Sequence, residues 1–157
     1  MNSSTTFKVL QVNLNRSTLA TESALQVVVE LNIDLIIVQE PWTIPRKIGS
    51  TDYQGTRSII HQSFSQILPA DLTLRPKVLV YTSKSFKPTV NLAKESPLDP
   101  DMLVIDILEG DYKIQLVNIY NEANQLGNGP RTIERVLYNY STYRNTIILG
   151  DFNSHHP

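Results

Sequence analysis

Short runs of consecutive apolar residues, each closed by a polar one, recur along this chain. Val9-Leu10-Gln11-Val12 ends in Asn13 and Asn15, Leu35-Ile36-Ile37-Val38 in Gln39-Glu40, Leu116-Val117-Asn118-Ile119 in Tyr120, and Thr146-Ile147-Ile148-Leu149 in Gly150-Asp151-Phe152-Asn153. Runs of this kind suit strands buried on both faces. The pattern predicts strands over Phe7–Asn13, Asp34–Gln39, Lys77–Thr82, Met102–Leu108, Tyr112–Ile119 and Thr146–Gly150. Glu109-Gly110-Asp111 supplies a hairpin turn between the fourth and fifth. Between the first two strands a helical period begins at Ser17 or Thr18. It places Ala20, Ala24, Val27, Val28 and Leu31 on one stripe, with Asn32 as the stop. A second helix is predicted over Pro130–Tyr143, with Pro130 near its first turn and Ile133, Val136, Leu137 and Tyr140 at core spacing. Ile44 to Leu74 reads as mostly loop, with a short strand at Ser58-Ile59-Ile60-His61.

Strand, helix, strand at this spacing is a parallel βαβ unit, and the whole order predicts an α/β fold with helices outside mixed sheets. The final strand has nothing after it, although so apolar a strand expects neighbours and covering layers. The chain therefore reads as the N-terminal portion of a larger domain, spanning residues 1–157.

Composition narrows the chemistry. With 157 residues, 41% of them hydrophobic, the chain can bury one sizeable core. It has no cysteine, which removes disulfides, zinc–thiolate sites and a thiol nucleophile. The formal net charge of −1 provides no global basic field, so any nucleic-acid binding must rest on a local patch. No run approaches a membrane span and the N-terminus lacks the pattern of a secretory signal, so an intracellular protein with no membrane partner is expected.

The strand ends carry the candidate chemistry. Asp151 and Asn153 lie two residues apart and so point the same way from a strand end. Asn13, Glu40, Asp151 and Asn153 are oxygen donors of the kind a hard cation such as Mg²⁺ prefers. Together with the Tyr120 hydroxyl they could hold one cation and a phosphate. Each alone is better read as a turn or solvated strand-end residue; it is their recurrence at strand ends that sets them apart.

Leu10-Gln11-Val12-Asn13-Leu14-Asn15, Ile37-Val38-Gln39-Glu40-Pro41-Trp42, Val117-Asn118-Ile119-Tyr120 and Leu149-Gly150-Asp151-Phe152-Asn153 resemble, in this order, the endonuclease/exonuclease/phosphatase superfamily. The Glu-Pro-Trp extension and the tail Asn153-Ser154-His155-His156-Pro157 are closer to the endonuclease domain of non-LTR (LINE-type) retrotransposons. The resemblance implies part of a two-sheet, DNase I-like α/β sandwich and a Mg²⁺-dependent (Mn²⁺ as an alternative) hydrolase that nicks DNA. It further implies a nuclear location and no small-molecule cofactor. It assigns Glu40 and Asn13 to the metal and Asn15 to the polar residues near it. Tyr120 and Asn153 fall to the scissile phosphate, and Asp151 to aligning or deprotonating the attacking water.

The family completes its site with a C-terminal half bearing a further Asn or Thr, a metal-side Asp and a closing Ser-Asp-His, and nothing here matches those. His61 reads as an exposed loop residue, and His155 and His156 follow Asn153 too closely to stand in. Without that half, one sheet's inner face is expected to lie open, and the chain is expected to be an inactive fragment. Two alternatives remain at this stage. One is a non-catalytic remnant that acts at most as a weak nucleic-acid or protein interaction module. The other is a lipid or inositol phosphatase of the same superfamily.

Overall fold

A computed structural model of the chain describes residues 6–48, 52–55, 57–71, 74–122, 131–139 and 145–153, with the side chains of 45–48, 52–55 and 137–139 excepted. In chain order the elements are β1 (Val9–Asn13), α1 (Thr18–Glu30), β2 (Leu35–Gln39), β3 (Pro45–Ile48), β4 (Asp52–Gly55), β5 (Phe64–Ile67), β6 (Val78–Ser83), β7 (Thr89–Leu92), β8 (Met102–Glu109), β9 (Tyr112–Tyr120), α2 (Thr132–Asn139) and β10 (Thr146–Asp151). They form two four-stranded mixed sheets, ordered β1-β2-β6-β5 and β10-β9-β8-β7, and a β3-β4 hairpin.

All six predicted strands are present, and the βαβ reading holds: β1 and β2 pair in parallel across α1, as β9 and β10 do across α2. Gly110, at φ 56, turns β8 into β9 in a two-residue loop, where a left-handed first residue matches the twist of the strands. The region read as loop contains more strand than its composition suggested, in β3, β4 and β5. Ser58–His61 is not a strand. Its backbone groups are taken up by side chains instead: Gln66 bridges Ser58 N–H and the Ser58 and Ile59 carbonyls, and Tyr81 OH donates to Ile59 O at 2.8 Å. His61 is also more engaged than expected. Its Nδ1 accepts from Ser63 N–H and its ring tilts against Phe64 at 5.5 Å.

Helix α1 begins where expected, with Ser17 Oγ accepting Ala20 N–H at 3.1 Å. It ends in a Schellman arrangement: Asn32, at φ 52, donates to Val29 O and Ile33 to Val28 O. The buried stripe is rotated from the one predicted. Thr21, Leu25 and Val28 face the sheet with Ala20 and Ala24 beside them, while Val27 and Leu31 face solvent. Thr21 could turn inward because its hydroxyl donates back to Ser17 O at 2.7 Å, which removes the cost of burying it. In α2, Val136 is buried and Ile133 partly so, as predicted. The side chain of Leu137 and residues 130 and 140–143 of the predicted helix lie outside the described residues, as do His155 and His156.

The two sheets pack face to face. Leu35, Ile37, Val78 and Val80 of the first meet Leu103, Ile105, Ile107 and Leu116 of the second. The expected open inner face is therefore not found, because each sheet covers the other with strands from this chain alone. Helix α1 covers the outer face of the first sheet and α2 packs on that of the second, giving an α/β/β/α sandwich.

Candidate active site

The candidate residues sit at one end of the sandwich and come from both sheets. Asn13 ends β1, next to Gln39, and Glu40 follows immediately; Tyr120 and Asp151 end β9 and β10 directly opposite each other. Both β1 and β10 are edge strands of their sheets. The Asn13 amide Nδ2 donates to Asp151 Oδ2 at 2.9 Å, which joins the two sheets across their edges. Tyr120 OH donates to Glu40 Oε1 at 3.2 Å, a second bridge between them.

Three of these residues hold left-handed backbones: Asn15 at φ 46, Glu40 at φ 48 and Asn153 at φ 43. Asparagine tolerates that region, whereas for glutamate it costs about 1–2 kcal/mol. Glu40 is held there at both ends of its residue, donating N–H to Lys77 O at 2.8 Å and accepting Arg16 N–H at 2.8 Å. Asn15 is fixed by its N–H to Asn13 Oδ1, and Asn153 by its N–H to Asp151 Oδ1 and its Nδ2 to Asn121 O. The six candidates thus form two hydrogen-bonded groups at one end of the sandwich, Asn13–Asn15–Asp151–Asn153 and Glu40–Tyr120, and strand pairing sets Tyr120 beside Asp151. Burial first, then the Glu40 charge and hydrogen bond, raise the Tyr120 pKa above its ordinary 10.0; Asp151 adds to this and Arg16 opposes it. Tyr120 is therefore a neutral hydrogen-bond donor at physiological pH.

The residues that hold the constellation in place were not singled out from sequence. Below the site, Gln11 Nε2 donates to Gly150 O at 2.8 Å. Gln39 Nε2 donates to Asn118 Oδ1 at 2.7 Å, and Asn118 Nδ2 reaches the Val38 and Leu79 carbonyls. Gln39 and Asn118 are fully buried, so this amide chain clasps the sheets through their core. The signal was a polar residue inside an otherwise apolar strand, which must find a partner. Asn121 ties the Asp151–Asn153 turn to β9 and to α2: its Nδ2 donates to Phe152 O and its Oδ1 accepts Ile133 N–H. On the far side of Tyr120, Lys77 lies 5.6 Å from the ring centroid and pairs with Asp101 and Glu122, and Arg135 pairs with Asp99 and Asp101. Gly150 permits the close approach of β10, since a Cβ there would lie 2.1 Å from Ile119 O.

Chemically, the donors are carboxylate, amide and phenol oxygens with no nitrogen or sulfur ligand, a set suited to a hard cation that keeps much of its own water. Glu40 and the Asn13 amide oxygen fit that cation. Among the described residues no group of three or more His, Cys, Asp or Glu gathers to hold a metal. Nor, among them, is any helix long and apolar enough to cross a membrane.

No protein-family model and no curated protein matches the chain. Solved structures do. The endonuclease domain of TRAS1, a telomere-specific non-LTR retrotransposon, is similar with a TM-score of 0.68 at 18% identity, over 96% of this chain and 61% of that one. A humanized D. rerio TDP2 is similar with a TM-score of 0.51 at 11% identity, over 96% of this chain and 63% of that one. The chain thus spans less than two thirds of the length of either structure. The two facing mixed sheets, their order and these likenesses together give this chain the endonuclease/exonuclease/phosphatase (DNase I-like) fold.

Proposed function

We propose that this chain is the N-terminal portion of a Mg²⁺-dependent DNA endonuclease domain of retrotransposon type, acting on nuclear DNA. The observation that supports it most is the placement of Glu40 and Asp151 on separate sheets at one end of the sandwich. Each is oriented by a hydrogen bond from the opposite sheet, Tyr120 to Glu40 and Asn13 to Asp151. In-line attack of water on a phosphodiester needs charge neutralisation on one side of the phosphorus, a group that aligns water on another, and donors to the non-bridging oxygens.

In this reading Glu40 and Asn13 hold the cation, with Asn15 fixing the Asn13 amide through its N–H. When bound, a divalent cation supplies positive charge to the phosphate and its leaving oxygen. Asp151 aligns or deprotonates the attacking water. Asn153 donates to the phosphate, and Tyr120 does so by turning its single O–H from Glu40 to a phosphate oxygen; the raised Tyr120 pKa keeps that proton in place.

Plasmid nicking with Mg²⁺ or Mn²⁺ tests this reading. In a protein extended to the full length of the matched endonuclease domain, Glu40→Ala and Asp151→Ala should each lower nicking by roughly a hundredfold or more, the usual effect of losing one such term. Full activity in either variant would overturn it. The chain by itself should bind metal weakly and show no measurable nicking, because no third acidic or imidazole group among the described residues joins the site. A non-catalytic role for this stretch is the second reading, favoured by that same sparse ligand set, and absence of nicking in the extended protein would select it.

A further inference from the structure

The site presents a difficulty to any nucleic acid. The chain carries a formal net charge of −1, and Glu40 and Asp151 add local negative charge where a polyanion would have to lie. Binding therefore requires a cation at the site itself. Two cations at this end are already committed: Lys77 pairs with Asp101 and Glu122, and Arg135 with Asp99 and Asp101. Arg16 differs. Its side chain is 45% exposed, and its contact with Glu40 Oε1 is long, at 3.9 Å. Its position relative to Glu40 is nevertheless fixed, because its N–H donates to Glu40 O at 2.8 Å and the flanking Leu14 N–H donates to Gln39 O at 3.0 Å. Asn15 and Arg16, at φ 46 and 55, form the two-residue left-handed turn that carries the chain from β1 into α1. A guanidinium is thus presented at the mouth of the site on a rigid turn, loosely paired and open to solvent.

We propose that Arg16 binds a backbone phosphate of the DNA strand at this site, exchanging its loose contact with Glu40 for a charge-assisted, two-pronged one. A planar guanidinium matches two phosphate oxygens at once, which a long single contact to a carboxylate does not rival. This assignment rests on the phosphodiesterase reading above, and it concerns binding rather than cleavage.

The test is equilibrium binding of the chain itself to a fluorescent DNA duplex, without divalent metal, across a KCl series. One phosphate contact is worth a slope of about 0.9 in log K against log salt, or roughly eightfold in affinity at 0.1 M. Arg16→Gln should lose about that much in both. Arg16→Gly should match it, and since glycine suits φ 55 it guards against a folding artefact. Arg16→Lys should keep the slope and lose part of the affinity. Lys84→Ala, just beyond the end of β6 remote from the site, should change nothing. Glu40→Gln should tighten binding, and should do so by less when combined with Arg16→Gln, because only part of its effect comes from releasing Arg16. An unchanged slope in both uncharged Arg16 variants, or an equal loss in Lys84→Ala, would overturn the assignment and leave the nuclease reading standing. Absence of binding by the unaltered chain at low salt would overturn this assignment, whereas the nuclease reading stands or falls with nicking by the extended protein.

Discussion

Glu40 pairs a candidate site carboxylate with an unfavourable backbone, and the two can be separated. Glu40→Ala and Glu40→Gly both remove the carboxylate, but only glycine is at ease at φ 48. The glycine variant should be the more stable by about 1 kcal/mol, read as a higher denaturant midpoint at equal slope. Equal midpoints would mean that the turn relaxes at no cost. Tyr120 makes a pH prediction. Its proton is held more tightly in the folded protein than in the unfolded chain, where its pKa is 10.0. The stability it contributes is therefore complete below pH 10 and fades as pH rises through the folded value. Tyr120→Phe should flatten the alkaline fall in unfolding free energy, and the remaining fall should shrink further when Tyr81, raised by its own burial, is also changed. At this scale the sequence was legible wherever a polar residue closed an apolar run, as with Asn13, Glu40, Tyr120 and Asp151. Arg16 and Asn121 carried no such mark. Arg16 lies in a turn that only the structure shows to be left-handed, and Asn121 looks like any loop asparagine until its contacts with Phe152 and Ile133 are seen.

Among the elements, β10 depends on one position. Gly150→Ala would drive a Cβ into the Ile119 carbonyl, so β10 must shift off β9 or the pair must splay. The expected cost is about 1–3 kcal/mol, with faster hydrogen exchange at Ile147–Leu149 than at Leu35–Val38 in the other sheet. Uniform destabilisation of both sheets would contradict this local account. The strands were readable because continuous apolar runs have few other uses, and the α1 boundaries because Ser17 and Asn32 are cap residues. The face of α1 was misread because hydrophobicity alone favoured Val27 and Leu31 over Thr21, whose burial depends on a hydrogen bond to Ser17 O. The strand β5 was missed for the converse reason: Phe64-Ser65-Gln66-Ile67 is short and half polar, and its pairing with β6 decides its conformation.

For the molecule as a whole, the Gln39–Asn118 clasp is the feature that no reading of separate segments could supply, since its partners are 79 positions apart. Gln39→Leu or Asn118→Leu alone should each cost about 1–3 kcal/mol by leaving a buried amide without its partner. The double substitution should cost less than the sum of the singles. Simple additivity in urea unfolding would mean that the amides act independently. The inter-sheet bridges also bear on the geometry of the site itself. One sheet supplies Asn13 and Glu40, the other Tyr120, Asp151 and Asn153, so no single element fixes the gap between the two carboxylates. The thickness of the apolar layer from Leu35 and Val80 to Leu103 and Leu116 acts on that gap together with the Asn13–Asp151 and Tyr120–Glu40 bridges, and packed sheets stand about 10 Å apart. The core therefore acts as a caliper whose jaws are Glu40 and Asp151. A methylene added or removed deep between the sheets changes the opening at the tips without altering any residue that forms them.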